Sequence, residues 1–407
     1  MKPPFSSRLP WPAYDNALAR ERARLRAEGR RILDLSESNP TRVGLDVARP
    51  EADWPLGLFL DSANLRYEPD PRGLARAREA VAALISADAR GSAPRRSPGP
   101  EDIFLCASTS EAYGWLFKLL CDPGDAVLVP KPGYPLFDYL AGLESVEARP
   151  YRLEYAHPSG WRLDLGSLED ALAEGRAKAL VLINPNNPTG SYVRAEERGR
   201  VVSLCAEYGC AIVSDEVFFG FPVEGGERGS LAGEEGALTF VLDGLSKRLG
   251  LPQMKLGWIA ASGPRDALEE ARSRLEIIAD SYLSAGTPVM NALPRLLEAS
   301  APFAEDLGRR LAANLGALRD ILEGPDSPHR VLRCSGGWTA IVESPRLASE
   351  EELALGLLRD EGLWSLPGFF FDMEREAFFT MSLILPPDEL AEGARAYASY
   401  FARLMGR

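Results

Sequence analysis

The feature that most constrains this chain is a regular alternation that begins at residue 103 and continues to residue 279. Short apolar runs at 103–106, 126–129, 146–149, 179–183, 211–214, 239–242 and 257–260 are separated by stretches with helical periodicity. Runs of four or five apolar residues bounded by turn residues suit strands buried on both faces. Strands that alternate with helices pack as a mainly parallel sheet under a helical cover. The spacing predicts an α/β fold with roughly seven strands. Helical spacing is clearest at 72–86, 110–120, 195–208, 264–279, 303–323 and 387–404, and Asp122-Pro123-Gly124-Asp125 makes a stop and turn after the second of these.

After about residue 289 the alternation gives way to long helices and a few apolar runs, at 339–342 and 378–385. With 407 residues, 45% of them hydrophobic, the chain is long enough for two closely packed domains. The expected division is an N-terminal segment with part of a small domain (1–60), a large domain (61–288) and a C-terminal small α+β domain (289–407). Gly91 to Pro100 and Val223 to Gly236 read as surface loops, and there is no internal repeat.

The formal charge of −13 argues against nucleic acid and anionic membranes as partners. Met1 to Pro12 is broken by four prolines and has no apolar core of the kind a secretory signal needs, and no stretch runs 18 apolar residues. A cytoplasmic location is the expectation. The five cysteines form no Cys-x-x-Cys pair and are expected as free thiols, mostly buried. His157 and His329 are the only histidines, too few for a histidine-rich metal site, and both are expected on the surface or in loops. Residues 13–31 have the spacing of an amphipathic helix with six arginines, but Asp15, Glu21 and Glu28 interleave them, as on a solvated face.

Three polar motifs begin where expected strands end: Asn184-Pro-Asn-Asn-Pro-Thr-Gly190, Ser214-Asp215-Glu216 and Asp243-Gly-Leu-Ser-Lys247. In an open parallel sheet the carboxyl ends of the strands line the ligand crevice, so all three are expected to meet at one site. Singly each has a plain reading: a surface lysine, a helix cap, a turn.

In this order on this strand pattern, the motifs resemble the signature of the class I/II aminotransferases, fold-type I enzymes of the aspartate aminotransferase superfamily, over nearly the whole chain. The resemblance implies pyridoxal 5′-phosphate (PLP) as cofactor, carried on Lys247, whose amine would also move a proton during the reaction. It implies Asp215 as the carboxylate that keeps the pyridine nitrogen protonated. Asn187 would donate to the phenolate oxygen, and Tyr134 in Lys131-Pro-Gly-Tyr134-Pro would stack on the ring. The phosphate would lie at the start of the helix after the first strand, against Ser108, Thr109 and Ser110, with Ser246 as a further donor. Tyr67 in Leu65-Arg-Tyr-Glu-Pro-Asp-Pro-Arg-Gly73 matches the segment that reaches the neighbouring subunit's phosphate, which implies a homodimer with shared active sites.

Three positions depart from the family pattern. Lys255 replaces the arginine that usually grips the phosphate, keeping the charge but losing the fork. Phe218 replaces a tyrosine, which removes one donor to the phenolate. Thr380 stands where an arginine usually clamps the substrate's α-carboxylate. Arg42 in Glu37-Ser-Asn-Pro-Thr-Arg42, with Asn39, is the expected substitute at the substrate, alongside Asn187. The reaction implied is transfer of an amino group from an amino acid to a 2-oxo acid in a ping-pong cycle, of alanine-type or broad specificity. A PLP lyase or decarboxylase of the same fold is the alternative, and a non-catalytic amino-acid sensor a remote one.

Overall fold

The computed structural model describes residues 5–9, 16–45, 55–88, 96–298 and 300–406. The ends of the proline-broken segment, the first residues of the arginine-rich stretch (13–15) and the first half of the Gly91–Pro100 loop (91–95) lie outside them.

A two-stranded parallel pair joins β1 (Leu33–Asp34) to a strand near the C-terminus. The main sheet contains β2 (Ile103–Cys106), β3 (Ala126–Lys131), β4 (Glu147–Ala156), β5 (Gly160–Leu163), β6 (Ala177–Ile183), β7 (Ala211–Asp215), β8 (Thr239–Gly244) and β9 (Gly257–Ser262). Their order across the sheet is β2-β9-β8-β7-β6-β3-β4-β5. The run from β8 to β4 is parallel. β9 is antiparallel to both neighbours, so β2 runs in the direction of the parallel set. β2, β7, β8 and β9 are buried along their whole length, as their continuous apolar runs require.

The seven expected strands are all present. The eighth, β5, escaped the sequence reading because it is four residues long and hairpins back onto the exposed outer half of β4. The arginine-rich helix is also shorter than its periodicity suggested. It runs from Ala17 to Ala27, capped at its start by the Asn16 side chain. Its charges are neutralised locally, Arg24 by Glu21 and Glu28, Arg22 by Asp34.

The C-terminal part builds a second sheet from β10 (Arg330–Val331), β11 (Thr339–Glu343), β13 (Leu366–Pro367) and β14 (Phe378–Ser382), in the order β10-β11-β14-β13 and wholly antiparallel. The strand between them, β12 (Leu363–Trp364), is the partner of β1. Helices Ser300–Leu322, Glu350–Glu361 and Pro387–Leu404 pack around this sheet.

His157 is exposed, and His329 lies in the loop just before β10 but not on the surface. It is buried, its Nδ1 lies 2.9 Å from Ser344 Oγ, and its ring packs edge-on against Phe401. The five cysteines are free, with Cys121 alone partly exposed. Among the described residues no helix is long and apolar enough to cross a membrane, and no cluster of side chains suits a metal ion.

Candidate active site

The chain leaves β3 for β4 on one side and β6 to β8 fill the other, so the strand order reverses between β3 and β6. Crevices open at such reversals, beyond the carboxyl ends of the strands. A cavity of about 300 Å³ is found there, and its lining includes Thr109, Ser110, Tyr134, Asn187, Asp215, Phe218, Lys247 and Thr380.

Each polar motif contributes one side chain to the cavity and uses the rest to brace itself. In the turn after β6, Asn184 accepts from Val193 N at 3.1 Å and donates to Gly229 O at 3.1 Å. Asn186 donates to Pro132 O and to Thr189 Oγ1. Asn187 is left to face the cavity. After β7, buried Glu216 takes bonds from Leu231 N and Ser214 Oγ, and burial pushes its pKa up to about 7. After β8, Asp243 is held by the Arg248 Nε at 2.7 Å and Arg248 by Asp88, which fixes the short helical turn Leu245–Arg248 that carries Lys247.

Asp215 forms part of the floor. Burial pushes its carboxyl up to about 6, while the Val217 amide and the Tyr113 hydroxyl, both donating to it, pull the other way. Burial lowers the pKa of Lys247, and the charge on Asp215 opposes that shift. The Nζ of Lys247 lies 5.0 Å from the Trp338 ring and 5.5 Å from the Phe218 ring. It has no hydrogen-bond partner among the described residues, and neither do the side chains of Asn187, Tyr134, Thr109 and Ser110. Polar groups that line a pocket with their bonding capacity unspent are available to a polar ligand.

The mouth of helix Thr109–Leu120 opens on the same cavity. Gly257 on β9 lies against this turn, and a Cβ there would make ordinary contact with Ser108 and Thr109 and a tight one, 3.1 Å, with Asp243 O. An anion fits such a helix start, where backbone N–H groups lack partners.

The structure does not bring every expected residue to the cavity. Ser108 caps the helix, accepting from Glu111 N at 3.2 Å. Ser246 is partly buried and Lys255 exposed, and neither lines the cavity; Tyr67 is 79% exposed. The two substrate expectations in the N-terminal segment need correction. Asn39 caps the turn Pro40–Arg42 through Thr41, and Arg42 is exposed and paired with Glu37 at 3.5 Å. The segment itself was rightly placed, since Ser36 and Ser38 line the cavity in their stead.

Sequence reasoning missed Tyr113, whose place one helical turn after Thr109 was the available signal. It also missed the apolar wall of Trp338, Leu366, Phe370 and Phe371, which comes from strand β13 of the second sheet and from segments beside its strands, about 90 residues or more beyond Lys247 in the chain.

An open sheet whose strand ends deliver a partly buried lysine, free of hydrogen bonds among the described residues, together with a buried carboxylate defines a class of enzyme that works through a bound carbonyl cofactor. The comparisons with known proteins narrow the class. Residues 30–396 match the family described as "Aminotransferase class I and II". The chain is 30% identical to the "Glutamate-pyruvate aminotransferase AlaA" of Escherichia coli (strain K12) over 72% of its own length and 70% of that protein's. It is 29% identical to the "Alanine aminotransferase" of Mycobacterium tuberculosis (strain ATCC 25618 / H37Rv), covering 86% of this chain and 81% of the relative. With "Nicotianamine aminotransferase 1" of Oryza sativa subsp. japonica it shares 31% identity over 66% of its length, spanning about half (53%) of that longer protein. Among solved structures, an aminotransferase from Escherichia coli superposes with a TM-score of 0.83 at 24% identity, covering 98% of both chains. The fold is that of the fold-type I enzymes. The chain belongs to aminotransferase class I and II, a family of PLP-dependent transaminases.

Proposed function

We propose that this transaminase carries its cofactor on Lys247 and moves the amino group of a neutral amino acid, of the alanine type or a broad set, to a 2-oxo acid. The observation that carries the assignment is the position of Lys247 Nζ, partly buried over the Trp338 and Phe218 rings with no hydrogen-bond partner among the described residues. Bound PLP would supply an aldehyde that exchanges amines and a ring that takes up the electron pair left at the substrate's α-carbon.

The remaining roles belong to the chain. Lys247, held as a weak base by burial, gives its amine to the cofactor and, once released, moves the proton to and from the substrate's α-carbon. Asp215 keeps the pyridine nitrogen protonated. Asn187 donates to the phenolate oxygen, and the Tyr134 ring covers one face. The start of helix Thr109–Leu120, with Thr109 and Ser110, holds the phosphate; Ser246 and Lys255 join that cradle by their position in the chain alone. Tyr67, exposed in the single chain, completes the phosphate site of a second subunit in a cytoplasmic homodimer.

A second reading rests on Thr380. Its hydroxyl bonds to the Leu366 carbonyl at 3.3 Å, and among the described residues lining the cavity the only cation is Lys247. A carboxylate taken into such a site lacks a cationic partner, which favours a lyase or decarboxylase.

One experiment separates the two. The purified holoenzyme receives amino acids one at a time while its visible absorbance is followed, and a 2-oxo acid is then added. Bleaching by an amino acid and recovery with the 2-oxo acid are expected for the transaminase. Release of ammonia, a thiol or CO2 without recovery would replace it with the second reading.

A further inference from the structure

A pocket of about 310 Å³ at the outer edge of the main sheet shares no lining residue with the cavity at Lys247. Arg162 on β5, Arg194 just before helix Ala195–Glu207, and Arg333 after β10 all line it. Two of them are tied to one hairpin turn. Nη2 of Arg194 donates to Ser159 O at 3.0 Å, and the stem of Arg333 lies on Gly160, where an added Cβ would meet its Cδ at 3.1 Å. Nη2 of Arg333 donates to Gly225 O at 2.9 Å.

Ion pairs with Asp or Glu are the rule for arginine in this acidic chain, yet none of these three has a carboxylate within 4.0 Å among the described residues. Glu227 lines the same pocket and pairs with none of them. Three guanidinium groups against the single carboxylate of Glu227 leave the lining with an excess of positive charge that an anion would balance. Arg194 and Arg333 each spend one Nη2 on a carbonyl and keep further donors, and Arg162 keeps its whole fork.

We propose that this pocket is a binding site for a small molecule bearing a phosphate group. A tetrahedral dianion offers several strong acceptors to guanidinium forks approaching from different sides, a match that a single planar carboxylate does not make. The space is at the lower end of that found for small-molecule sites, enough for a phosphate and a modest attached group. The site also has a route to the cleft. Ser191 in its wall follows the turn that carries Asn187, and Gly336 N donates to Gly190 O at 2.9 Å, joining that turn to the segment that carries Trp338.

The test uses the holoenzyme, in which the cofactor's own phosphate fills the catalytic cradle. Inorganic phosphate and pyrophosphate are titrated by calorimetry at low ionic strength. One saturable site per chain is expected, weakened at least about tenfold in Arg194→Gln and in Arg333→Gln. Both variants should keep the cofactor absorbance of the parent, which shows that they fold, and Arg265→Gln, an exposed arginine elsewhere, should bind as the parent does. Absence of saturable binding by either probe would overturn the proposal. So would binding that persists in the Arg194→Gln/Arg333→Gln double variant.

Discussion

The hydroxyl of Tyr113 donates to Oδ2 of Asp215 at 3.0 Å, and the amide of Val217 donates to Oδ1 at 3.2 Å, so each carboxylate oxygen has its own donor beneath the cavity floor. Both bonds favour the ionised form against burial, which by itself drives the carboxyl upward. Tyr113 is therefore a positioning residue. It does not touch the reacting atoms, but it sets the charge and the angle of the group that does.

Tyr113→Phe removes one of the two donors. The Asp215 pKa, already raised to about 6, should rise further by roughly one unit. In the role proposed for it Asp215 works as the carboxylate, so function should be lost as pH falls through its folded pKa, and the acid limb of the kcat profile should move to higher pH. The absorbance of the bound cofactor should titrate in parallel. An acid limb that stays in place, with only thermal stability lowered, would reduce Tyr113 to a packing residue.

Lys247→Ala should lower turnover by at least about a thousandfold, since it removes both the anchoring amine and the proton carrier. Cofactor should still bind, held by the helix start and Asp215, but reduction with borohydride should no longer fix it to the chain. Covalent labelling that survives in this variant would point to another lysine.

Trp338→Ala tests the apolar wall. The indole packs on Phe218 at 5.3 Å and Phe221 at 5.4 Å and is 3% exposed. Its truncation should cost about 3–5 kcal/mol in chemical denaturation. Among substrates, KM should rise most for bulky neutral amino acids and least for alanine. An equal rise across the panel would mean that the wall supports the fold without selecting the substrate.

His329 makes stability depend on pH. Burial lowers its pKa to about 4 from an ordinary 6.5, so the unfolded chain binds the proton more tightly. The neutral ring's contribution is fully present above pH 6.5 and is lost as pH falls toward 4. Unfolding by urea at pH 7.5 and at about pH 5 should show a loss for the parent that His329→Gln largely removes. A variant with the same loss as the parent would shift the cause to the buried carboxyls.

Much of this site could be read from the residues in order. Continuous apolar runs marked the buried strands, and Asn187, Asp215 and Lys247 were legible because each follows one of those runs directly. What stayed hidden depended on distance or on spent bonds. Trp338 and Phe371 reach the cavity from segments flanking strands of the second sheet, and nothing in the apolar runs at 339–342 and 378–385 shows that this sheet packs over the first. Arg42 looked like a carboxylate clamp because its sequence neighbourhood was right, but Glu37 takes its charge and the side chain stays on the surface. His329 is a loop residue as expected, but its burial was hidden because no periodicity marked the apolar ring cluster that encloses it.

The pairing of β1 with β12 bears on how the enzyme is made. The segment after β1, which supplies Ser36 and Ser38, is held by Ser382 through its amide to Leu35 O and its hydroxyl to Glu37 O. A chain emerging from the ribosome has already produced Asn187, Asp215 and Lys247 before the residue that holds this wall, since Ser382 follows all three in the sequence. This side of the cavity is thus tied to a late-made strand.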